Sequence, residues 1–152
     1  MTVIDCLISS LSMGKELVHC KICFKKGISA NSFPMDREDI RQSMTVIQKV
    51  TEELKKGRNY LIFPEGTRSR MGNKMLEFHG GTFKCALKAK CPIVPFVLVN
   101  CFKVLDEKGC KPVKVAIHYL QPISYEEYKG MKTVELAAMV KARIGAVLAK
   151  AE

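Results

Sequence analysis

The 152-residue chain predicts an α/β fold with a mixed, mainly parallel sheet flanked by helices. Three observations predict it. Short apolar runs of strand length, Leu61-Ile62-Phe63 and residues 93–99, end at proline, glycine or asparagine. Apolar residues recur at helical spacing in two longer segments, at Ile40, Met44, Ile47, Val50 and Leu54 and at Leu136, Val140, Ile144 and Val147. The two kinds of segment alternate, so about four strands interleave with helices, the pattern of a layered α/β domain.

Residues 2–13 are apolar enough for a helix, which Gly14 closes. Residues 15–32 mix lysines with apolar groups and read as a loop or short helix, punctuated by Gly27 and Asn31 before a short strand at Phe33. Residues 38–56 form the clearest helix. Asp36 can cap it, Glu38 and Asp39 sit at its positive end, Lys55 and Lys56 at its negative end, and Gly57 stops it. This helix returns the chain so that a strand at 59–63 lies beside the one at Phe33, bringing Arg37 and Arg68 to one edge. Residues 78–90 predict a second helix packing Phe83, Ala86 and Leu87, with Gly80 and Gly81 at its start for a close backbone approach. Residues 93–99 are a buried strand, 113–119 alternate as another with His118 opposite Val113, Val115, Ile117 and Tyr119, and 133–150 are an alanine-rich amphipathic helix.

The strand at 59–63 feeds a polar turn. Its end, Pro64 to Arg70, projects from the carboxyl edge of the sheet, where α/β folds place ligands. Arg68 offers a planar guanidinium for phosphate or carboxylate, Thr67 a hydroxyl, and Gly66 close backbone approach. Glu65 is the odd member, because a carboxylate repels phosphate; it reads as fixing an arginine or accepting from a substrate hydroxyl. Composition alone leaves a solvated turn equally open.

Phe63-Pro64-Glu65-Gly66-Thr67-Arg68-Ser69-Arg70 resembles the signature block of the glycerolipid acyltransferases, the family of 1-acyl-sn-glycerol-3-phosphate acyltransferases. Phe78-His79-Gly80-Gly81 with Ala86-Leu87, and Cys91-Pro92-Ile93-Val94-Pro95-Phe96, are similar to the family's later segments, and Phe33-Pro34-Met35-Asp36-Arg37 and Lys15-Glu16-Leu17 to its earlier ones. The resemblance implies an acyltransferase-like fold and transfer of an acyl group from an acyl-CoA or acyl carrier protein thioester, with no bound cofactor or metal. The acceptor would be a lysophosphatidic acid or glycerol-phosphate hydroxyl. It implies that Arg37, Glu65, Gly66, Thr67 and Arg68 bind the acceptor. The family's first block is Asn-His, four arbitrary residues and Asp, its histidine acting as general base. His19, His79 and His118 are followed five positions on by Phe24, Lys84 and Ile123, never by aspartate. Asp5, followed by Cys6-Leu7-Ile8, matches the block's aspartate, the group that orients the base, with the histidine falling one position before Met1. The expectation is therefore one domain over residues 1–152, lacking its amino-terminal part and starting inside that block. A non-catalytic, membrane-associated phosphate-binding remnant is the alternative reading. His79 is a surface histidine or a substitute base.

Net charge is +10, which favours an anionic partner. Nucleic acid is disfavoured, since no long basic run exists, aromatics are 7% and tryptophan is absent. Residues 91–102 are the longest nearly apolar stretch, well short of the roughly 20 needed to cross a bilayer. Seven scattered cysteines suggest free thiols and a reducing compartment, and Cys20 and Cys23 have no second pair at zinc-site spacing. The composite expectation is a cytoplasmic protein, peripheral at the inner face of an anionic membrane.

Overall fold

Apolar runs of strand length become a sheet and the periodic segments its cover in the computed structural model of the chain, which describes residues 4–8, 40–67, 69–103 and 112–151. β1 (Ile4–Ile8), β2 (Tyr60–Ile62), β3 (Ile93–Val99) and β4 (Ala116–Tyr119) lie in the order β2-β1-β3-β4. β1 is parallel to β2 and to β3, and β4 is antiparallel to β3, so the sheet is mixed and mainly parallel.

The middle of this sheet corrects the reading of residues 2–13 as a helix. Ile4–Ile8 is a strand, with Ile4 in register with Tyr60 on one side and Ile93 on the other. A strand inside a parallel sheet is apolar on both faces and shows no alternation. A five-residue segment such as Ile4-Asp5-Cys6-Leu7-Ile8, apolar but for Asp5, cannot be told from a piece of helix by periodicity. The expected strand at Phe33 and the segment before it lie outside the described residues.

The periodic segments fold as expected, with shifted ends. α1 (Ile40–Lys55) buries Val50 and Leu54, while Met44, on the same predicted stripe, is 49% exposed. Gly57 ends it in the left-handed region (φ +85°): the Gly57 N–H donates to the Leu54 carbonyl and the Arg58 N–H to the Glu53 carbonyl, satisfying two orphan acceptors of the last turn. The predicted helix at 78–90 starts as a 3-10 turn (Gly80–Phe83) before α2 (Lys84–Ala89). A Cβ on Gly80 would lie 3.1 Å from the Thr133 carbonyl oxygen, whereas one on Gly81 would meet nothing within 4 Å. Close approach thus accounts for Gly80 and not for Gly81.

α3 (Tyr125–Tyr128) begins with the Glu127 carboxylate accepting the Ser124 N–H at 2.9 Å. α4 (Thr133–Ala151) packs Leu136, Val140, Ile144 and Leu148 into the core with Ile93 and Val97 of β3. The predicted strand at 113–119 pairs only over Ala116–Tyr119, and its apolar face is open: Ile117 and Tyr119 are exposed, Tyr119 leaning on Phe96 with ring centroids 5.3 Å apart.

Candidate active site

β2 ends at Ile62, and residues 63–67 turn at the carboxyl edge of the sheet. The turn is closed by the Gly66 N–H donating to the Phe63 carbonyl at 3.2 Å, with Gly66 at φ +67°, a conformation that disfavours any residue with a Cβ. Pro64 is buried, and its carbonyl accepts the His79 N–H at 2.8 Å. That bond seats the entry of the 3-10 turn against the signature block. Thr67 is exposed, as an outward donor requires.

Glu65 points the other way. It is 4% exposed, and its Oε2 accepts the Leu76 N–H at 3.2 Å, while Oε1 is buried without a hydrogen-bond partner. Burial pushes its carboxyl above the usual carboxylate range, partly offset by the Leu76 N–H and by the Lys141 ammonium. Lys141, on α4, is ion-paired with Glu77.

The loop that follows is ordered by its own side chains. Arg70 and Gly72 take left-handed backbone (φ +52° and +66°), and the Asn73 Oδ1 accepts the Asn100 N–H at 2.9 Å. Met75 lies against α4, where a Cβ on Gly145 would be 3.0 Å from its methyl carbon. An open groove lined by Met75, Phe78, Ala138, Lys141 and Gly145 runs between loop and helix.

Among the sequence-derived candidates, Glu65, Gly66 and Thr67 are thus brought together at one turn. Asp5 is in β1, its Cα in register with Leu61, two residues before Phe63, and with Val94. Arg37 and Arg68 lie outside the described residues. His79 is exposed, its backbone beside Pro64; His118 is exposed on β4, two strands beyond β1. Sequence reasoning missed the contacts of Leu76, Asn73 and Lys141; the only signal was the unexplained carboxylate of Glu65. Cys85 offers no substitute nucleophile. Cys85, Cys91 and Cys101 are free, and burial pushes the Cys85 thiol up to about 12, so it stays protonated at neutral pH.

Comparison with known proteins points one way. A family model described as acyltransferase matches residues 8–99, which include the signature turn and β3. The chain is 34% identical over 91 residues to a 1-acyl-sn-glycerol-3-phosphate acyltransferase of Helicobacter pylori, covering 60% of this chain and 38% of that protein. To its counterpart in Cocos nucifera it is 28% identical over 131 residues, 84% of this chain and 42% of the other. To that of Saccharomyces cerevisiae it is 33% identical over 120 residues, 74% of this chain and 38% of the other. The chain therefore spans about two fifths of the length of these relatives. The fold is similar to the crystal structure of the 1-acyl-sn-glycerophosphate acyltransferase from Thermotoga maritima, with a TM-score of 0.60 at 24% identity, covering 68% of this chain and 44% of that one.

Proposed function

The chain belongs to the acyltransferase family, and from that premise we propose that it serves phospholipid synthesis by moving a fatty acyl group from a thioester to a lysophosphatidic acid or glycerol-phosphate hydroxyl. The thioester is acyl-CoA or an acyl-loaded carrier protein. The observation that carries this reading is the uninterrupted block from Phe63 to Arg70 leaving the carboxyl end of β2 inside the matched region.

The chemistry assigns the parts. The acceptor oxygen attacks the thioester carbonyl, the carbon–sulfur bond breaks, and the hydroxyl proton leaves through a base to the departing thiolate. Arg37 and Arg68 hold the acceptor phosphate, with the Thr67 hydroxyl and the backbone at Gly66 beside it, and Asp5 orients the base. Glu65, turned inward beneath the same turn, supports it. A second reading, phosphate binding without turnover, is favoured by one observation: neither described histidine, His79 or His118, is followed five positions on by aspartate.

One assay separates the two. Incubated with oleoyl-CoA and lysophosphatidic acid, the 152-residue chain is expected to form phosphatidic acid at least about a hundredfold more slowly than a version with Asn-His placed directly ahead of Met1, the usual range of general-base catalysis. Equal rates move the base elsewhere, first to His79. No product from either overturns the acyltransferase reading and leaves the binding one.

The proposed site of action is the inner, cytoplasmic face of a membrane, reached peripherally. Among the described residues no helix is long and apolar enough to cross a bilayer. Support comes from the +10 charge and from the exposed apolar side chains of Leu61, Ile117 and Tyr119. Each lysine or arginine near an anionic surface contributes about 1 kcal/mol, within a Debye length of about 8 Å at physiological salt. Sedimentation with anionic vesicles should therefore fall as salt rises. Equal, salt-independent binding to neutral vesicles removes electrostatics as the driver, and no binding to anionic ones removes the membrane.

A further inference from the structure

Glu65 is out of place in a phosphate-directed turn, and its surroundings give it another task. With 4% of its surface exposed, it has almost no area to offer a ligand. What its carboxylate does meet is the chain itself: Oε2 takes the Leu76 N–H, closing the base of a loop whose ends are eleven positions apart. Within that loop the Asn73 Oδ1 takes the N–H of Asn100, the left-handed residue (φ +62°) directly after β3. β1 lies between β2 and β3, so residues 66–73 bridge two strand spacings, about 10 Å, at the carboxyl edge. A polar loop of that span gains no order from burial alone. Each residue fixed costs backbone entropy, which side-chain acceptors on otherwise orphan N–H groups offset.

Resting on the acyltransferase reading above, we propose that Glu65 and Asn73 are positioning residues, tethers at the base of the loop and at its link to the end of β3, that hold Gly66 and Thr67 in place without themselves touching the acceptor. The tether needs an acceptor oxygen and not a negative charge. Glutamine should therefore replace Glu65, and alanine should not. A carboxylate that contacts substrate or fixes a cation makes the opposite demand, since glutamine fails there as alanine does.

Two readouts on the whole chain test this: amide hydrogen exchange at Leu76 and Asn100, and titration with glycerol 3-phosphate as the probe. Glu65→Gln is expected to keep Leu76 protected and to bind within about threefold of the parent, whereas Glu65→Ala speeds Leu76 exchange and weakens binding by about tenfold, the range of one lost hydrogen bond. Asn73→Ala should speed exchange at Asn100 and weaken binding by a smaller factor. The proposal is overturned by unchanged Leu76 exchange in Glu65→Ala, or by Glu65→Gln losing as much affinity as alanine with Leu76 still protected. If the parent does not bind glycerol 3-phosphate, the acceptor reading is what fails, and the exchange rates alone decide the tethers. If Glu65→Ala does not fold, Asn73→Ala decides: unchanged exchange at Asn100 overturns the proposal, and faster exchange supports it.

Discussion

Tyr128→Ala is expected to destabilise the domain by about 3 to 5 kcal/mol, and Tyr128→Phe by about 1 to 3 kcal/mol. The ring is fully buried, and Tyr125 meets it edge-on with centroids 5.3 Å apart. Its hydroxyl donates to the Cys91 carbonyl and lies 3.3 Å from that of Ala86. The Ala86 carbonyl belongs to the last turn of α2, which lacks intrahelical donors, and Cys91 follows just after Lys90 (φ +54°) has turned the chain out of the helix. Tyrosine thus caps one helix from another element. Burial pushes its hydroxyl above the usual phenol range, so it remains a donor across the working pH range. Phenylalanine keeps the packing and strands the carbonyls; alanine removes both. Against a total stability of about 5 to 15 kcal/mol, the larger loss leaves a marginal domain. Urea midpoints of the three proteins measure it, and a phenylalanine variant as stable as the parent would show that the carbonyls find water instead.

The cap matters to the site because α2 is continuous with the 3-10 turn that His79 docks on Pro64. A segment far from the signature block in sequence therefore holds one wall of it. That dependence was not legible in the chain. Tyr125 and Tyr128 sit in a four-residue helix too short for periodicity to register, and the Ser124–Glu127 capping pair was its only local sign. What was legible followed from repetition: α1 and α4 carry enough turns for their stripes to stand out, and β3 is long and apolar between Pro92 and Asn100. β1 was misread because its five residues suit a buried strand and a helix turn alike. At the site, the turn and its glycine were visible, since a left-handed position after a strand selects glycine. Glu65 was visible only as an anomaly. Residue type shows what a side chain can do, but whether it faces solvent or its own backbone depends on Leu76, eleven residues away.

Arg68→Ala is expected to weaken lysophosphatidic acid binding by about 10-fold to 150-fold, the equivalent of one charge-assisted contact at about 1.5 to 3 kcal/mol. In the proposed site Arg68 directly follows Thr67 in sequence, so its loss removes a donor fork and should leave the tethered loop intact. The Leu76 and Asn100 amides should keep their protection, which separates this variant from those at Glu65 and Asn73. Arg68→Lys should recover only part of the affinity, because a point charge cannot reproduce two parallel N–H bonds to a phosphate. If Arg37 grips the same phosphate, the double alanine variant will lose less than the sum of the two singles in free energy, since the second loss falls on a headgroup already released. A monoacylglycerol, which lacks the phosphate, is the control: its binding should not respond to Arg68→Ala. An equal loss for both lipids would mean that Arg68 shapes the turn and does not read the phosphate, and unchanged binding of lysophosphatidic acid would remove it from the site.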